Sequence, residues 1–175
     1  AVKSGMMHAI GEYRFLADAD LSMSIEQLEK FLPSAIGEYD VAIGSREILG
    51  ANRVREPFVR HIMGRVFNFI VRLFAVKGVS DTQCGFKCFK AEAAERLFSL
   101  QRSFGFGFDV EILFLAQKLK MEIREIPVDW HYSSGSKVNP IKDSFLMMRD
   151  LFFVLWNFAT GKGPRSNGTE RKSPF

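Results

Sequence analysis

The 175-residue chain is long enough for one domain with a sizeable core, and it is 47% hydrophobic with 18 phenylalanines. Its formal net charge of +4 is a modest basic excess, which would suit either nucleic acid or an anionic membrane surface. We find no nucleic-acid-binding motif and no strand that clusters basic with aromatic residues, so we predict no nucleic-acid partner. The basic residues lie beside Phe- and Met-rich helical stretches, which favours a membrane surface or a phosphorylated lipid.

Two further features of the composition bear on location. No apolar run reaches the roughly 18–20 uninterrupted residues of a spanning helix, so membrane contact is expected to be interfacial. Cys84 and Cys88 are the only cysteines. Their spacing makes a poor zinc site and a strained disulfide, so we predict two reduced thiols and a place on the cytosolic face.

The first third of the chain alternates between helix, strand and loop. We predict a helix over 1–9, a strand over 13–17, a helix from Ser24 to about Leu32, a strand over 39–44 and a polar loop over 47–57. Such a loop, rich in Arg, Gly and Asn, is the kind that closes over a ligand.

The rest of the chain continues the alternation and contains two amphipathic helices. Those helices are predicted over 58–75 and 142–158, and their apolar stripes ordinarily face a core. The other predicted elements are a loop and short strand over 79–87, helices over 91–100 and 110–119, and a strand over 121–128. The pattern predicts an α/β fold.

Asp18 and Asp20 directly follow the first predicted strand. Ligands in α/β sheets bind at the carboxyl ends of strands, and two carboxylates one residue apart can face one cation there. Oxygen ligands of this kind suit Mg²⁺ or Mn²⁺. Asp-rich turns are common, so the pair alone is a weak signal.

Three further motifs accompany this Asp pair: D-T-Q-C-G-F-K at 81–87, F-D-V-E at 108–111 and G-S-K at 135–137. Together, in this order, they resemble inverting family-two glycosyltransferases, and most closely the dolichyl-phosphate β-glucosyltransferases. The resemblance implies a GT-A fold from which two parts of a complete member are expected to be missing. One is the first strands, which would bind the nucleotide base, and the other is an N-terminal membrane anchor. Residues 1–160 would form the C-terminal two-thirds of the catalytic domain, and 161–175 a disordered tail.

The same resemblance implies a reaction. The expected activity is metal-dependent transfer of a hexose, with glucose from UDP-glucose as the favoured donor, to dolichyl or another polyprenyl phosphate at a membrane surface. Two alternatives stay open: a transferase for another sugar such as mannose, and a non-catalytic, membrane-associated remnant. With the family in view, the two amphipathic helices are expected to lie against the membrane, although each could also contribute to the core.

Basic residues are expected to hold phosphate groups. Arg46, Arg60 and Lys137 resemble basic positions of polyprenyl-phosphate glycosyltransferases, and the planar fork of arginine suits a phosphate. Each alone could be a solvated surface charge, and for Arg60 the two interpretations are about even.

Acidic and amide side chains complete the expected site. By resemblance, Asp81 and Gln83 lie near the sugar and the acceptor phosphate, although Asp81 could merely cap a turn. Asp109 and Glu111 fall where relatives place acidic residues at the base of the active site. Because a phosphate acceptor is already ionised, Asp109 is expected to orient the sugar or Lys137 and not to remove a proton.

Overall fold

A computed structural model of the protein describes residues 1–160 apart from 21, 56, 104, 106 and 133–139. For residues 59, 60, 140–145 and 159 it describes the backbone alone. The predictions for Lys137, the side chain of Arg60 and the tail 161–175 therefore lie outside the described residues.

A four-stranded mixed sheet forms the centre of the described fold, in the order β1-β4-β2-β5. Its strands are β1 (Tyr13–Ala17), β2 (Val41–Ser45), β4 (Phe86–Lys90) and β5 (Ile123–Pro127). Strand β4 runs antiparallel to both β1 and β2, whereas β2 and β5 are parallel. A separate two-stranded parallel sheet pairs β3 (Asn52–Val54) with β6 (Asp129–His131).

Helices surround this sheet. They are α1 (Val2–His8), a 3₁₀ helix (Ile25–Phe31), α2 (Pro33–Ile36), α3 (Phe58–Phe74), α4 (Ala91–Leu100), α5 (Phe108–Lys118) and α6 (Pro140–Ala159). Because successive side chains of a strand point to opposite faces, β2 divides its residues between two cores. Val41 and Ile43 pack in the larger core with α3 to α6. Ala42 packs in a smaller one with Phe31, Phe86 and Trp130.

Helices α3 and α6 each have a buried and an exposed apolar face. Phe67 and Val71 of α3 and Leu151 and Val154 of α6 are buried in the larger core. Other large apolar side chains of the two helices are exposed: Phe58, Ile62, Val66, Phe69, Leu73, Phe74, Phe152, Phe153 and Trp156. No helix in the described part of the chain is long and apolar enough to cross a membrane.

The α/β prediction is confirmed, with local corrections. The segment predicted as a helix from Ser24 to Leu32 is a 3₁₀ helix, and Pro33 begins α2, since proline is favoured in a first helical turn. The predicted loop 47–57 contains β3, which gains its hydrogen bonds from the unpredicted strand β6. Cys84 and Cys88 are free, as predicted, and both are buried.

Candidate active site

Strand direction brings the candidate residues to one edge of the sheet. Because β1 and β2 both run antiparallel to β4, their carboxyl ends lie at the edge where β4 begins. Asp18 follows β1, Arg46 follows β2, and the segment 81–85, called here the β4 entry loop, leads into β4. The sequence therefore folds three separate motifs onto a single edge.

The buried Asp81 forms an ion pair with the partly exposed Arg46 at this edge. The Asp81 carboxylate accepts hydrogen bonds from Arg46 Nε at 2.7 Å, from Arg46 Nη2 at 3.0 Å and from the Arg46 backbone N–H at 3.0 Å. Burial acts to raise the pKa of Asp81, but the charge and hydrogen bonds of Arg46 outweigh it and hold that pKa at about 2. The guanidinium also lies 5.5 Å from the ring centroid of Trp130, so its orientation is fixed from two sides.

The backbone on both sides of Asp81 is anchored by neighbouring elements. The Glu125 carboxylate on β5 accepts hydrogen bonds from the backbone N–H of Ser80 at 2.8 Å and of Asp81 at 3.1 Å. Asn68 on α3 accepts from the hydroxyl of Thr82 at 2.8 Å and from its backbone N–H at 3.2 Å. The sheet and α3 therefore hold the β4 entry loop jointly.

Asp18 lies against Gly85, the last residue before β4. The Asp18 backbone N–H donates to the Gly85 carbonyl at 3.1 Å, and a Cβ built on Gly85 would overlap the Asp18 carboxylate. The carboxylate reaches solvent on its other side. Desolvation by the protein side, together with the charge of Asp20, raises the pKa of Asp18, while Lys87 and Arg46 oppose this shift.

Asp109 contacts a lysine that sequence analysis overlooked. Lys87 Nζ donates to Asp109 Oδ1 at 2.5 Å and also to the Cys84 carbonyl. Burial raises the pKa of Asp109, Lys87 lowers it, and the charges of Asp18 and Asp81 raise it. Lys87 is the last residue of the 81–87 motif, and a lysine inside an apolar strand is a signal that could have identified it.

Two other predicted residues have structural contacts. The Gln83 amide lies 3.4 Å from the Met147 sulfur, which connects the β4 entry loop to α6. The buried Glu111 carboxylate accepts the backbone N–H groups of Arg102 and Ser103, the latter at 2.6 Å. Glu111 thus stabilises the loop between α4 and α5.

The predicted metal ligands are two carboxylates at an open edge. Asp20 Oδ1 accepts the Ser22 backbone N–H at 3.0 Å, which fixes the turn after Asp18. Within the described ranges, no group of three or more His, Cys, Asp or Glu side chains could hold a metal ion. A cation here would need its remaining ligands from substrate or water, and the metal stays a prediction.

Sequence comparison places this arrangement among known proteins. Residues 1–98 match the family described as Glycosyl transferase family 2. The chain is 35% identical over 167 residues to the dolichyl-phosphate β-glucosyltransferase of Dictyostelium discoideum, covering 92% of this chain and 51% of that protein. It is 37% identical over 168 residues to the Homo sapiens protein of the same name, covering 92% and 52%. The chain thus spans about half the length of these relatives.

Structural comparison supports the fold. Glucosyl-3-phosphoglycerate synthase from Mycobacterium tuberculosis, solved in complex with uridine diphosphate, matches with a TM-score of 0.60 and 14% identity, covering 94% of this chain and 55% of that one. Its complex with phosphoglyceric acid matches with the same TM-score. These likenesses confirm the predicted GT-A fold class. The family profile covers more than half of the chain, and the chain therefore belongs to glycosyl transferase family 2.

Proposed function

We propose that the protein transfers glucose from UDP-glucose to dolichyl phosphate or a similar polyprenyl phosphate, with inversion at the anomeric carbon. The observation that carries this proposal is the identity of 35–38% across 92% of the chain to several proteins named dolichyl-phosphate β-glucosyltransferase. The geometry agrees with it, because carboxylates and a fixed arginine meet at the edge of the sheet where α/β proteins bind ligands.

The chemistry asks for positioning more than for a base. A phosphate monoester acceptor is ionised at neutral pH, so its oxygen attacks the anomeric carbon as the bond to UDP breaks, and UDP takes the electron pair. The protein has to align the two anions and offset their charge. Arg46 suits the alignment, because Asp81 fixes the orientation of its guanidinium and the Arg46 side chain is still 20% exposed. Asp81 then acts by orienting Arg46 and not by contacting the sugar.

Asp18 and Asp20 fit a hard divalent cation. Both are exposed aspartates that form no salt bridge with another described residue. Mg²⁺ or Mn²⁺ commonly keeps only one or two protein carboxylates and completes its shell with water and substrate phosphates. Such an ion would supply positive charge to the departing diphosphate. Gly85 leaves the space that the Asp18 carboxylate occupies.

A lipid acceptor would give the exposed faces of α3 and α6 a role. Phe69 is 64% exposed and Trp156 is 67% exposed, and Arg65 and Arg149 lie on the same two helices with more than half of their side chains exposed. Aromatic groups beside arginines suit the headgroup region of a membrane. Gln83 connects the β4 entry loop to α6, so a membrane bound to the exposed face of α6 would lie next to the site.

The test is sugar transfer by the full-length protein. UDP-glucose, GDP-mannose and other donors are each supplied with a short polyprenyl phosphate and Mg²⁺ or Mn²⁺, and glycolipid is detected by mass. We expect glucolipid from the wild type and from the exposed control Glu26→Gln, and less than a hundredth as much from Asp18→Ala. Product from another donor would replace glucose in the proposal. A folded protein that forms no glycolipid with any donor would refute it.

A further inference from the structure

Lys87 occupies an unusual place for a charged residue. It lies on β4, opposite Leu16 of β1 and Ile43 of β2, in the interior of the sheet. Its side chain is 1% exposed, and it is among the largest fully buried side chains of the protein. Burying an ammonium group is unfavourable unless it is paired and hydrogen-bonded.

The pairing of Lys87 joins three segments. Nζ donates to Asp109 Oδ1 in the first turn of α5 and to the Cys84 carbonyl in the β4 entry loop. An apolar side chain of similar size often stabilises a protein as well as a buried ion pair does. Stability alone therefore gives a weak reason for a lysine at this position.

The contact leaves half of the Asp109 carboxylate uncommitted. Oδ1 is bound by Lys87, whereas Oδ2 has no hydrogen-bond partner among the described residues. Oδ2 is not one of the fully buried unpaired atoms, and the side chain is 15% exposed, so solvent reaches this oxygen. A fixed carboxylate with one accessible oxygen is suited to accept a hydrogen bond from a hydroxyl group.

We propose that Lys87 is a positioning residue: it holds Asp109 through Oδ1 so that Oδ2 accepts a hydrogen bond from a hydroxyl of the donor hexose. This inference rests on the proposed function. Lys87 itself is too deeply buried to touch the substrate and acts through Asp109. Its effect should consequently appear in recognition of the sugar and not in recognition of the nucleotide.

The experiment measures dissociation constants of UDP and UDP-glucose for the full-length protein by calorimetry, with Mn²⁺ present. The ratio of the two constants isolates the contribution of the sugar. A hydrogen bond to a charged group corresponds to about tenfold or more in affinity. We expect Asp109→Asn and Lys87→Met each to lower the preference for UDP-glucose about tenfold and to leave UDP binding unchanged.

The double variant Lys87→Met/Asp109→Asn tests whether Lys87 acts through Asp109. It should match Asp109→Asn within twofold, and it leaves no buried charge unpaired, so it serves if Lys87→Met alone does not fold. The inference would be overturned if the two single losses in preference for UDP-glucose multiplied in the double variant. It would also be overturned if UDP binding weakened as much as UDP-glucose binding. Glucolipid formation by the wild type is measured in parallel. If the wild type forms no glucolipid, the proposed function is refuted. The ratio of the two dissociation constants tests the role of Lys87 independently of that result.

Discussion

Gly85→Ala should inactivate the protein without unfolding it. A Cβ at this position would overlap all three atoms of the Asp18 carboxyl group. Normal contact begins near 3.4 Å, so the carboxylate has to move by more than about 1 Å. The overlapping group is the end of a solvent-exposed side chain that can swing away. A displacement of this size at a reacting centre costs on the order of a hundredfold in rate.

Stability should respond much less than activity to this substitution. Replacing glycine by alanine also restricts the unfolded chain, which offsets part of any strain. We therefore expect the free energy of unfolding in urea to change by less than about 1 kcal/mol. Gly64→Ala on α3 is the matched control, because a Cβ added there would have no atom within 4 Å apart from the nearby backbone of its own helix. It should raise the free energy of unfolding by about 0.5–1 kcal/mol and leave glucolipid formation unchanged.

Two results would refute this reasoning about Gly85. Full transfer activity in Gly85→Ala would mean that the position of the Asp18 carboxylate does not matter for the reaction. A loss of more than about 2 kcal/mol in the free energy of unfolding would mean that β4 moves and not the carboxylate. The second result would make the activity of the variant uninformative about Asp18.

Three other perturbations test separate parts of the structure. Glu111→Ala should lower the free energy of unfolding by about 2 kcal/mol in urea, because it leaves the buried backbone N–H of Ser103 without its acceptor and removes the partly buried bonds from Arg102. The pKa of Asp81 is about 2, below its unfolded value. Its pairing with Arg46 thus contributes about 2 kcal/mol above pH 4, which is lost as the pH falls towards 2. In Asp81→Asn the free energy of unfolding should therefore depend less on pH in this acid range than it does in the wild type. Trp156→Ser should weaken binding to anionic vesicles at least tenfold without changing the free energy of unfolding. The control Ile10→Ser, at another exposed apolar residue, should leave vesicle binding unchanged.

Periodicity in the sequence was sufficient to predict most elements of the fold. The apolar spacing of α3 and α6 predicts long helices, but it cannot divide their apolar residues between core and surface. The structure makes that division, burying Val71 and exposing Phe69 two residues away. Strands β3 and β6 were not predicted, because three residues are too few to show an alternation of apolar and polar side chains. Each strand also forms only by pairing with a segment far away in the sequence.

The candidate site was predictable as a set of motifs but not as a set of contacts. Asp18 and Gly85 are neighbours only because β1 and β4 pair in antiparallel register, an arrangement that local sequence does not encode. The same folding commits the Asp81 carboxylate to Arg46, although both had been expected to face substrate. Asp109 pairs with Lys87, which was not predicted. Lys137 lies outside the described residues, so its expected pairing with Asp109 stays a prediction. The resemblance to a family therefore predicted which residues belong to the site, but not which of them contact one another across distant segments of the chain.

The balance of charge at the site leads to a final prediction about metal binding. Asp81 is neutralised by Arg46 and Asp109 by Lys87, whereas Asp18 and Asp20 form no salt bridge within the described part of the chain. Two unbalanced negative charges match one divalent cation. With UDP present, Mn²⁺ at about 100 times its dissociation constant should therefore stabilise the wild type by about 2.7 kcal/mol in thermal unfolding. Asp18→Asn should lose most of this gain and Glu26→Gln should keep it. Equal stabilisation of all three proteins would place the ion elsewhere.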